Sequence, residues 1–318
     1  MINYRREFLL IMTLSVIIIL LSALSISLNN EQFHYAGISY VPEETPKIFS
    51  ILVLLCLGSY LHTGSNSRIT QILLHLFAYY VVLFIIMLFT NAIQYTPFPG
   101  IDEKILDFQG AYLNELFTRI ITWTHQHMAL GHFFVRIYNS LSMEVLVVPI
   151  LLVLFQQRTY LYEYFILILI TALLGFIFYY FFPSSGPASI LPPQYFTHSQ
   201  LATGIKFTLV HQHIQPSSLE GGLIALPSYH TIWAWLSTFA FRKYKPIFAI
   251  LLIYNGTIMA ACILLGWHYF VDLIGSFLVL LLAHGICIMH KTAAKWRKSS
   301  SEDHAGVDQI GISNHTIT

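Results

Sequence analysis

The feature that most constrains this chain is a series of long apolar runs separated by short polar segments. A helix needs about 20 apolar residues to cross the roughly 30 Å hydrocarbon core of a bilayer, whereas a barrel strand needs only about 10. The runs have the helical length. They predict an all-α, polytopic membrane helix bundle with about eight transmembrane helices.

Eight runs are candidate spans, of which the second and sixth are short. They cover residues 8–28, 48–62, 69–92, 134–156, 160–182, 227–241, 246–266 and 268–290. The first run follows Arg5 and Arg6, so a signal peptide is an alternative. It is long for a signal peptide, however, and the cleavage pattern near Ser25 is weak, which favours a membrane anchor.

The composition agrees with a membrane protein. The 318 residues are 56% hydrophobic and 10% charged, whereas a soluble domain is usually about 25% charged. A formal net charge of +1 provides no attraction for nucleic acid, which excludes that class of partner. The three cysteines lie within apolar runs, so neither a disulfide framework nor a thiolate metal site is indicated.

The positive charges predict the orientation in the membrane. Eleven of the 16 Lys and Arg residues fall on one side of the predicted spans, and this side is expected to be cytoplasmic. They are Arg5, Arg6, Arg68, Arg158, Arg242, Lys243, Lys245, Lys291, Lys295, Arg297 and Lys298. Both termini are then cytoplasmic, and the segments 29–47, 93–133 and 183–226 lie outside, in the periplasm if the membrane is a bacterial inner membrane.

The chain is expected to comprise three parts: N-terminal transmembrane helices over 1–93, a membrane core over 94–290, and a disordered cytoplasmic tail over 291–318. Apolar residues recur at helical spacing in 93–133, which predicts helices lying along the membrane interface. The segment 183–226 is rich in Pro, Gly, Ser and His, which predicts irregular backbone over the outer mouth of the bundle.

Two short segments carry ionisable side chains at the ends of apolar spans, where a functional role is the default hypothesis. The first is Leu226-Pro227-Ser228-Tyr229-His230-Thr231. Pro227 suits a first helical turn, whose free N–H groups form an anion site together with the Ser228 hydroxyl. His230 is expected to stand over that site.

The second segment is Trp267-His268-Tyr269-Phe270-Val271-Asp272. His268 and Asp272 are four residues apart, so on a helix they share a face, and Asp272 accepts a hydrogen bond from one ring nitrogen. This makes the other nitrogen more basic, as a histidine nucleophile or base requires. The predicted topology puts both segments at the same membrane face.

These segments resemble motifs of the type-2 phosphatidic acid phosphatase superfamily, which read Pro-Ser-x-His and His-x-x-x-Asp. The closer resemblance is to the branch that includes inositol phosphorylceramide synthases and bacterial relatives. In that branch, a Phe-Pro-x-x-Gly-Pro stretch like Phe182–Pro187 precedes a segment like Glu220–His230. The resemblance covers roughly residues 100–290 and leaves out the first two spans.

The resemblance implies phosphoryl transfer through a phosphohistidine. His268 would attack phosphorus, Asp272 would orient His268, His230 would protonate the leaving oxygen, and Ser228 would hold a phosphoryl oxygen. This chemistry needs positioned donors and cations. It requires no metal or other cofactor.

The chain departs from the better-known members of the superfamily, which carry a Lys-x6-Arg-Pro motif and a Ser-Arg pair shortly before the third-motif His. The corresponding pair here is Ala261 and Cys262, and no Lys or Arg occurs between Arg158 and Lys206. The synthase-like branch also lacks these basic residues.

Candidates for the missing phosphate-binding cation on the predicted outer side are Arg136, Lys206 and Arg119. Arg136 is preferred because it opens a span, although it is equally suited to reaching the lipid headgroups.

Other polar residues have simpler interpretations. His125 with His127 and His211 with His213 form His-x-His pairs that resemble zinc ligands, but residues two apart on a helix do not face one another. They are expected to be loop or substrate-rim residues. Glu144, inside the fourth span, is expected to make a hydrogen bond between helices, with a role in proton or headgroup binding left open.

The predicted substrate is a phospholipid or prenyl phosphate. Transfer of its phosphate group to water would make the protein a phosphatase, and transfer to a lipid or sugar hydroxyl would make it a phosphotransferase. The alternative from another class is a transporter or lipid-handling protein that has kept the fold without the catalysis. An intramembrane serine protease is disfavoured because Ser228 lacks a Gly-x-Ser-Gly context.

Overall fold

The computed structural model describes residues 5–29, 43–212, 214, 216, 218 and 220–312, and the side chains of these residues except 211 and 294–312. This part of the chain contains ten α-helices and no strand. They are α1 (Arg5–Asn29), α2 (Thr45–Thr63), α3 (Arg68–Ala92), α4 (Asp102–Gln126), α5 (Met128–Leu154), α6 (Arg158–Phe181), α7 (His198–His211), α8 (Tyr229–Ala240), α9 (Lys245–Leu264) and α10 (Phe270–Ile312). The all-α prediction is confirmed.

Seven of these helices are long and apolar enough to cross a membrane, namely α1, α2, α3, α5, α6, α9 and the part of α10 up to Ala293. The predicted sixth span, 227–241, is instead the 12-residue helix α8. At 1.5 Å per residue α8 is about 18 Å long, which is too short to cross the hydrocarbon core alone. Eight of its 12 residues are buried, and it packs against α5, α6, α9 and α10. Burial in the protein interior explains why a short run is so apolar.

The segment 93–133 is largely helical, as predicted. Helix α4 has a break at Gly110, whose φ of 73° is favourable for glycine, and α5 begins at Met128. One face of α4 packs through Phe117 and Ile121 onto Phe196 and Ile263. This contact places α4 against the end of the bundle.

The prediction of irregular backbone over 183–226 is wrong for one part of that segment. Two 3₁₀ turns, at Pro187–Ser189 and Pro193–Tyr195, are followed by the 14-residue helix α7. A capping box begins α7: Gln200 Oε1 accepts a hydrogen bond from the Thr197 N–H at 2.9 Å. The Thr-x-x-Gln pattern of a helix start is present in the sequence, but the surrounding prolines and glycines favour irregular backbone.

The C-terminal tail is helical in the described part. Helix α10 continues to Ile312 without a break, whereas we predicted a disordered tail from residue 291. Residues 313–318 lie outside the described residues. The three-part division of the chain stays a prediction.

An ionic cluster joins three helices at one end of the bundle. Glu163 on α6, which is 7% exposed, accepts from Arg242 at the end of α8 and from Lys291 Nζ on α10, the latter at 2.7 Å. The start of α10 lies about 30 Å from Lys291 along the helix axis. The ends of α8 and α10 that carry the predicted catalytic residues are therefore at the opposite end of the bundle from this cluster.

We expect Glu163→Gln to destabilise the protein. Arg242 and Lys291 are partly exposed and can turn to water. The expected loss of unfolding free energy is therefore about 1–3 kcal/mol, less than for breaking a fully buried pair. The measurement is thermal unfolding in detergent micelles. The control is Glu115→Gln, which removes an exposed ion pair with Arg119 and should change stability by less than about 0.5 kcal/mol. Equal shifts for the two variants would contradict a structural role for the cluster.

Candidate active site

The two predicted motif segments meet around the imidazole of His268, which is 4% exposed and lies between α9 and α10. Its Nδ1 is 3.0 Å from the backbone oxygen of Ala225 and 3.3 Å from Asp272 Oδ2. Asp272 is completely buried, and its Oδ2 also accepts from the Tyr269 backbone N–H at 2.9 Å. The predicted contact between His268 and Asp272 is present.

The Ala225 carbonyl identifies the tautomer of His268, because a carbonyl oxygen can only accept a hydrogen bond. Nδ1 therefore carries the proton and donates it to Ala225 and Asp272. Nε2 keeps its lone pair. This arrangement suits a nucleophile or base at Nε2, with Asp272 placed to stabilise the imidazolium ion that would form.

The second histidine, His230, is held by aromatic stacking. Its ring lies on the ring of Tyr138, with centroids 3.8 Å apart and an angle of 13° between the planes. Tyr138 in turn stacks on Trp267 at 5.3 Å and 6°. The ring centroids of His230 and His268 are 6.3 Å apart, close enough for one phosphoryl group and its leaving oxygen to reach both imidazoles.

Both imidazoles line a cavity of about 810 Å³. This volume is in the range of small-molecule binding sites. Among the described residues, its lining includes no Lys, Arg, Asp or Glu, and the side chains with polar groups carry four imidazoles, seven hydroxyls, two carboxamides and one indole N–H. They belong to His125, His132, His230, His268, Thr124, Tyr138, Ser142, Ser185, Thr197, Ser199, Thr203, Asn139, Gln200 and Trp267.

Ser228, predicted to hold a phosphoryl oxygen, does not line this cavity. It is completely buried and is the N-cap of α8, where its Oγ accepts from the Thr231 N–H at 3.3 Å. The Thr231 hydroxyl and the Cys262 sulfur are its other neighbours. A Ser before a helix is a strong capping residue, and the Ser228 hydroxyl has this role here, so its contact with a phosphoryl oxygen stays a prediction.

Arg136, the preferred phosphate-binding cation, is exposed on α5 and does not line the cavity. The neighbouring positions Val135, Tyr138 and Asn139 do line it. Successive helical residues differ by about 100° in direction, so the face that carries these residues turns Arg136 away. Arg119 is also outside the cavity, in an exposed ion pair with Glu115.

Lys206 is the candidate cation whose side chain has a hydrogen bond to a residue of the cavity wall. It is 2% exposed on α7, and its Nζ donates to the backbone oxygen of Gly221 at 2.9 Å, a residue that lines the cavity. Burial lowers the pKa of the Lys206 ammonium group to about 8. Its charge therefore lies directly behind the part of the wall that Gly221 and Gly222 form.

The histidine pairs are separated by the structure. His125 lines the cavity, while His127 Nδ1 contacts the Trp123 backbone oxygen at 2.8 Å. Within the described ranges, no three His, Cys, Asp or Glu residues come together as metal ligands. His213 and the side chain of His211 lie outside the described residues.

Glu144 makes the hydrogen bond between helices that we predicted. Its Oε1 accepts from Asn255 Nδ2 on α9 at 2.7 Å, and the same amide donates to Thr238 Oγ1 on α8 at 2.9 Å. Glu144 does not line the cavity.

The sequence reasoning missed Asp102, at the start of α4. Its buried carboxylate binds the turn that contains Ser184, Ser185 and Gly186. This turn belongs to the Phe-Pro-x-x-Gly-Pro stretch, and Ser185 lines the cavity. No sequence signal singles out Asp102, because Glu103, Asp107 and Glu115 lie in the same helix.

The helices, the buried His–Asp pair and the polar cavity define a polytopic membrane protein with a candidate site for polar chemistry at one end of its bundle. A family model described as the PAP2 superfamily matches residues 106–286, more than half of the chain. The chain therefore belongs to the PAP2, or type-2 phosphatidic acid phosphatase, superfamily, which indicates phosphatase or phosphotransferase chemistry. No curated protein and no solved structure matches it significantly.

The 221–222 segment generates a test of the cavity wall. Gly221 has a φ of 83°, and a Cβ there would meet the Thr203 backbone nitrogen at 2.7 Å and the Ser199 oxygen at 2.8 Å. We expect Gly221→Ala to lower stability by about 1–3 kcal/mol, measured by thermal unfolding. Gly222→Ala is the matched control, since its Cβ would meet no atom closer than 4.0 Å. Unfolding midpoints that are equal for both variants would contradict this geometry.

Proposed function

We propose that the protein transfers the phosphate group of a membrane lipid through a phosphohistidine on His268. The observation that carries the proposal is the pair of hydrogen bonds at Nδ1, which leaves Nε2 as the nitrogen with a lone pair. Membership of the PAP2 superfamily supports the same chemistry.

The proposed first step forms a bond between Nε2 of His268 and phosphorus and breaks the bond between phosphorus and the leaving oxygen. His230 gives its proton to that oxygen; burial lowers the pKa of the His230 imidazole to about 3, so its protonation depends on the negative charge of the phosphate bound beside it. Asp272 stabilises the positive charge that His268 acquires. In the second step His230 takes a proton from water or from an alcohol, whose oxygen attacks phosphorus and releases His268.

The phosphate charge needs positive partners. Lys206, behind the Gly221 carbonyl, and the imidazoles of the cavity are the groups we propose for this role. The exposed position of Arg136 does not favour it, and its contribution to phosphate binding stays a prediction. Ser228 is proposed to act indirectly, by capping the helix that carries His230.

The substrate class is a phospholipid or prenyl phosphate, and the acceptor is either water or a second alcohol. The cavity supports both acceptors, because it is larger than a phosphate group needs and is lined by hydroxyl and amide groups that bind hydroxyls. Relationship to the branch of inositol phosphorylceramide synthases stays an inference from the sequence resemblance. We further propose that the site opens at the outer face of a bacterial inner membrane.

The orientation is tested by labelling with an impermeant thiol reagent in intact cells. Gln194 is exposed and lies in sequence between the cavity-lining residues Ser185 and Thr197, so Gln194→Cys should react from outside, whereas Ser300→Cys should react only after permeabilisation. A Cys56→Ser background removes the half-buried native thiol, and the other two cysteines are buried. Labelling of Ser300→Cys in intact cells would reverse the proposed orientation.

The roles of the catalytic residues are tested by phosphate release from phospholipids and prenyl phosphates, with and without acceptor alcohols. His268→Ala should abolish turnover of every substrate. His230→Ala should slow a lipid phosphate by roughly 10²- to 10⁴-fold, yet recover with an aryl phosphate, whose leaving group needs no proton. Asp272→Asn should fall between them. His62→Ala, on an exposed part of α2, is the control and should retain full activity.

The alternatives give different results in the same assay. Equal losses of His230→Ala on both substrate types would mean that His230 only binds phosphate. Residual activity of His268→Ala would refute the phosphohistidine. Absence of turnover by the wild-type protein on the whole panel would favour the non-catalytic, lipid-handling alternative.

A further inference from the structure

We infer that Asp102 is a positioning residue for His268, acting through the turn at 184–186 and the carbonyl group of Ala225. The inference rests on the proposed function, since it takes His268 as the nucleophile. It concerns a residue far from both catalytic motifs in sequence.

The carboxylate of Asp102 is 5% exposed and accepts four hydrogen bonds from three consecutive residues. Oδ1 accepts from Ser184 Oγ at 2.8 Å and from the Gly186 N–H at 2.9 Å. Oδ2 accepts from the Ser185 N–H at 3.1 Å and from Ser185 Oγ at 3.3 Å. One side chain thus holds the whole turn.

The turn passes this constraint on to the catalytic histidine. The Ser184 backbone oxygen accepts from the Ala225 N–H at 3.0 Å, and the Ala225 oxygen accepts from His268 Nδ1 at 3.0 Å. Gly186 fixes the other side of the turn, because a Cβ at its φ of 93° would lie 3.0 Å from the Trp267 oxygen. A continuous series of hydrogen bonds therefore leads from Asp102 to the nitrogen that sets the tautomer of His268.

The geometry requires a carboxylate at position 102, because each of its oxygens accepts from a backbone N–H. In Asp102→Asn one of these oxygens becomes an NH₂ group. Whichever way the amide is turned, a donor then faces either the Gly186 N–H or the Ser185 N–H, and a backbone N–H cannot be rotated away. The substitution keeps the size of the side chain and breaks its hold on the turn.

The test combines steady-state kinetics on a lipid phosphate with thermal unfolding. Asp102→Asn should lower kcat by roughly 10²-fold with little change in KM, since a misplaced nucleophile slows the chemical step more than binding. Ser184→Ala removes only one of the four bonds and should lower kcat three- to tenfold. Asp107→Asn, an exposed carboxylate on the same helix, is the matched control and should be unchanged.

A double variant separates positioning from a purely structural role. Asp102 and Asp272 both act on Nδ1 of His268, so Asp102→Asn with Asp272→Asn should lose less than the product of the single losses. Multiplicative losses, or a loss of stability in Asp102→Asn with kcat unchanged, would overturn the inference. If Asp102→Asn does not fold, Ser184→Ala with Asp272→Asn provides the same cycle, and a multiplicative result there is equally decisive.

The same measurements distinguish a failure of the proposed function from a failure of the role of Asp102. Turnover by His268→Ala would refute the phosphohistidine and the inference together. Abolished turnover in His268→Ala with unchanged kcat in both Asp102→Asn and Ser184→Ala would refute the role of Asp102 alone.

Discussion

The two hydrogen bonds at His268 Nδ1 are the interaction on which the candidate site depends. One acceptor is a backbone carbonyl 43 residues earlier, and the other is a side chain at the start of α10. The backbone acceptor fixes the tautomer and the carboxylate supplies charge, so the two functions are divided between different parts of the chain. The irregular segment 220–228, the turn at 184–186 and the first turn of α10 must all be in place before this nitrogen is correctly bonded.

The sequence predicted the helical class because the length of an apolar run is a direct consequence of bilayer thickness. It failed for α8, where apolar residues serve burial inside protein rather than contact with lipid. Hydropathy does not distinguish these two environments, since both exclude water. The helix α7 was missed for a different reason: its capping box is local, but the surrounding prolines and glycines dominated the composition of the segment.

The contact between His268 and Asp272 was predictable because their spacing in sequence is short, although His268 precedes the first helical residue of α10. The Ala225 carbonyl and Asp102 were not, since a backbone acceptor has no sequence signature and Asp102 acts at a separation of more than 80 residues. Ser228 and Arg136 show the opposite limit. Their residue types suit phosphate, but Ser228 caps α8 and Arg136 is exposed outside the cavity lining, so a contact of either with phosphate stays a prediction.

The stacking of His230 has a consequence for how any molecule approaches it. With one ring face covered by Tyr138, and with the exchangeable protons of an imidazole lying in the ring plane, an oxygen can exchange a proton with His230 only by arriving edge-on. The plane of His268 is tilted by 54° from that of His230, so the two rings define two distinct directions of approach. The cavity therefore selects the orientation in which a substrate can react with the two imidazoles.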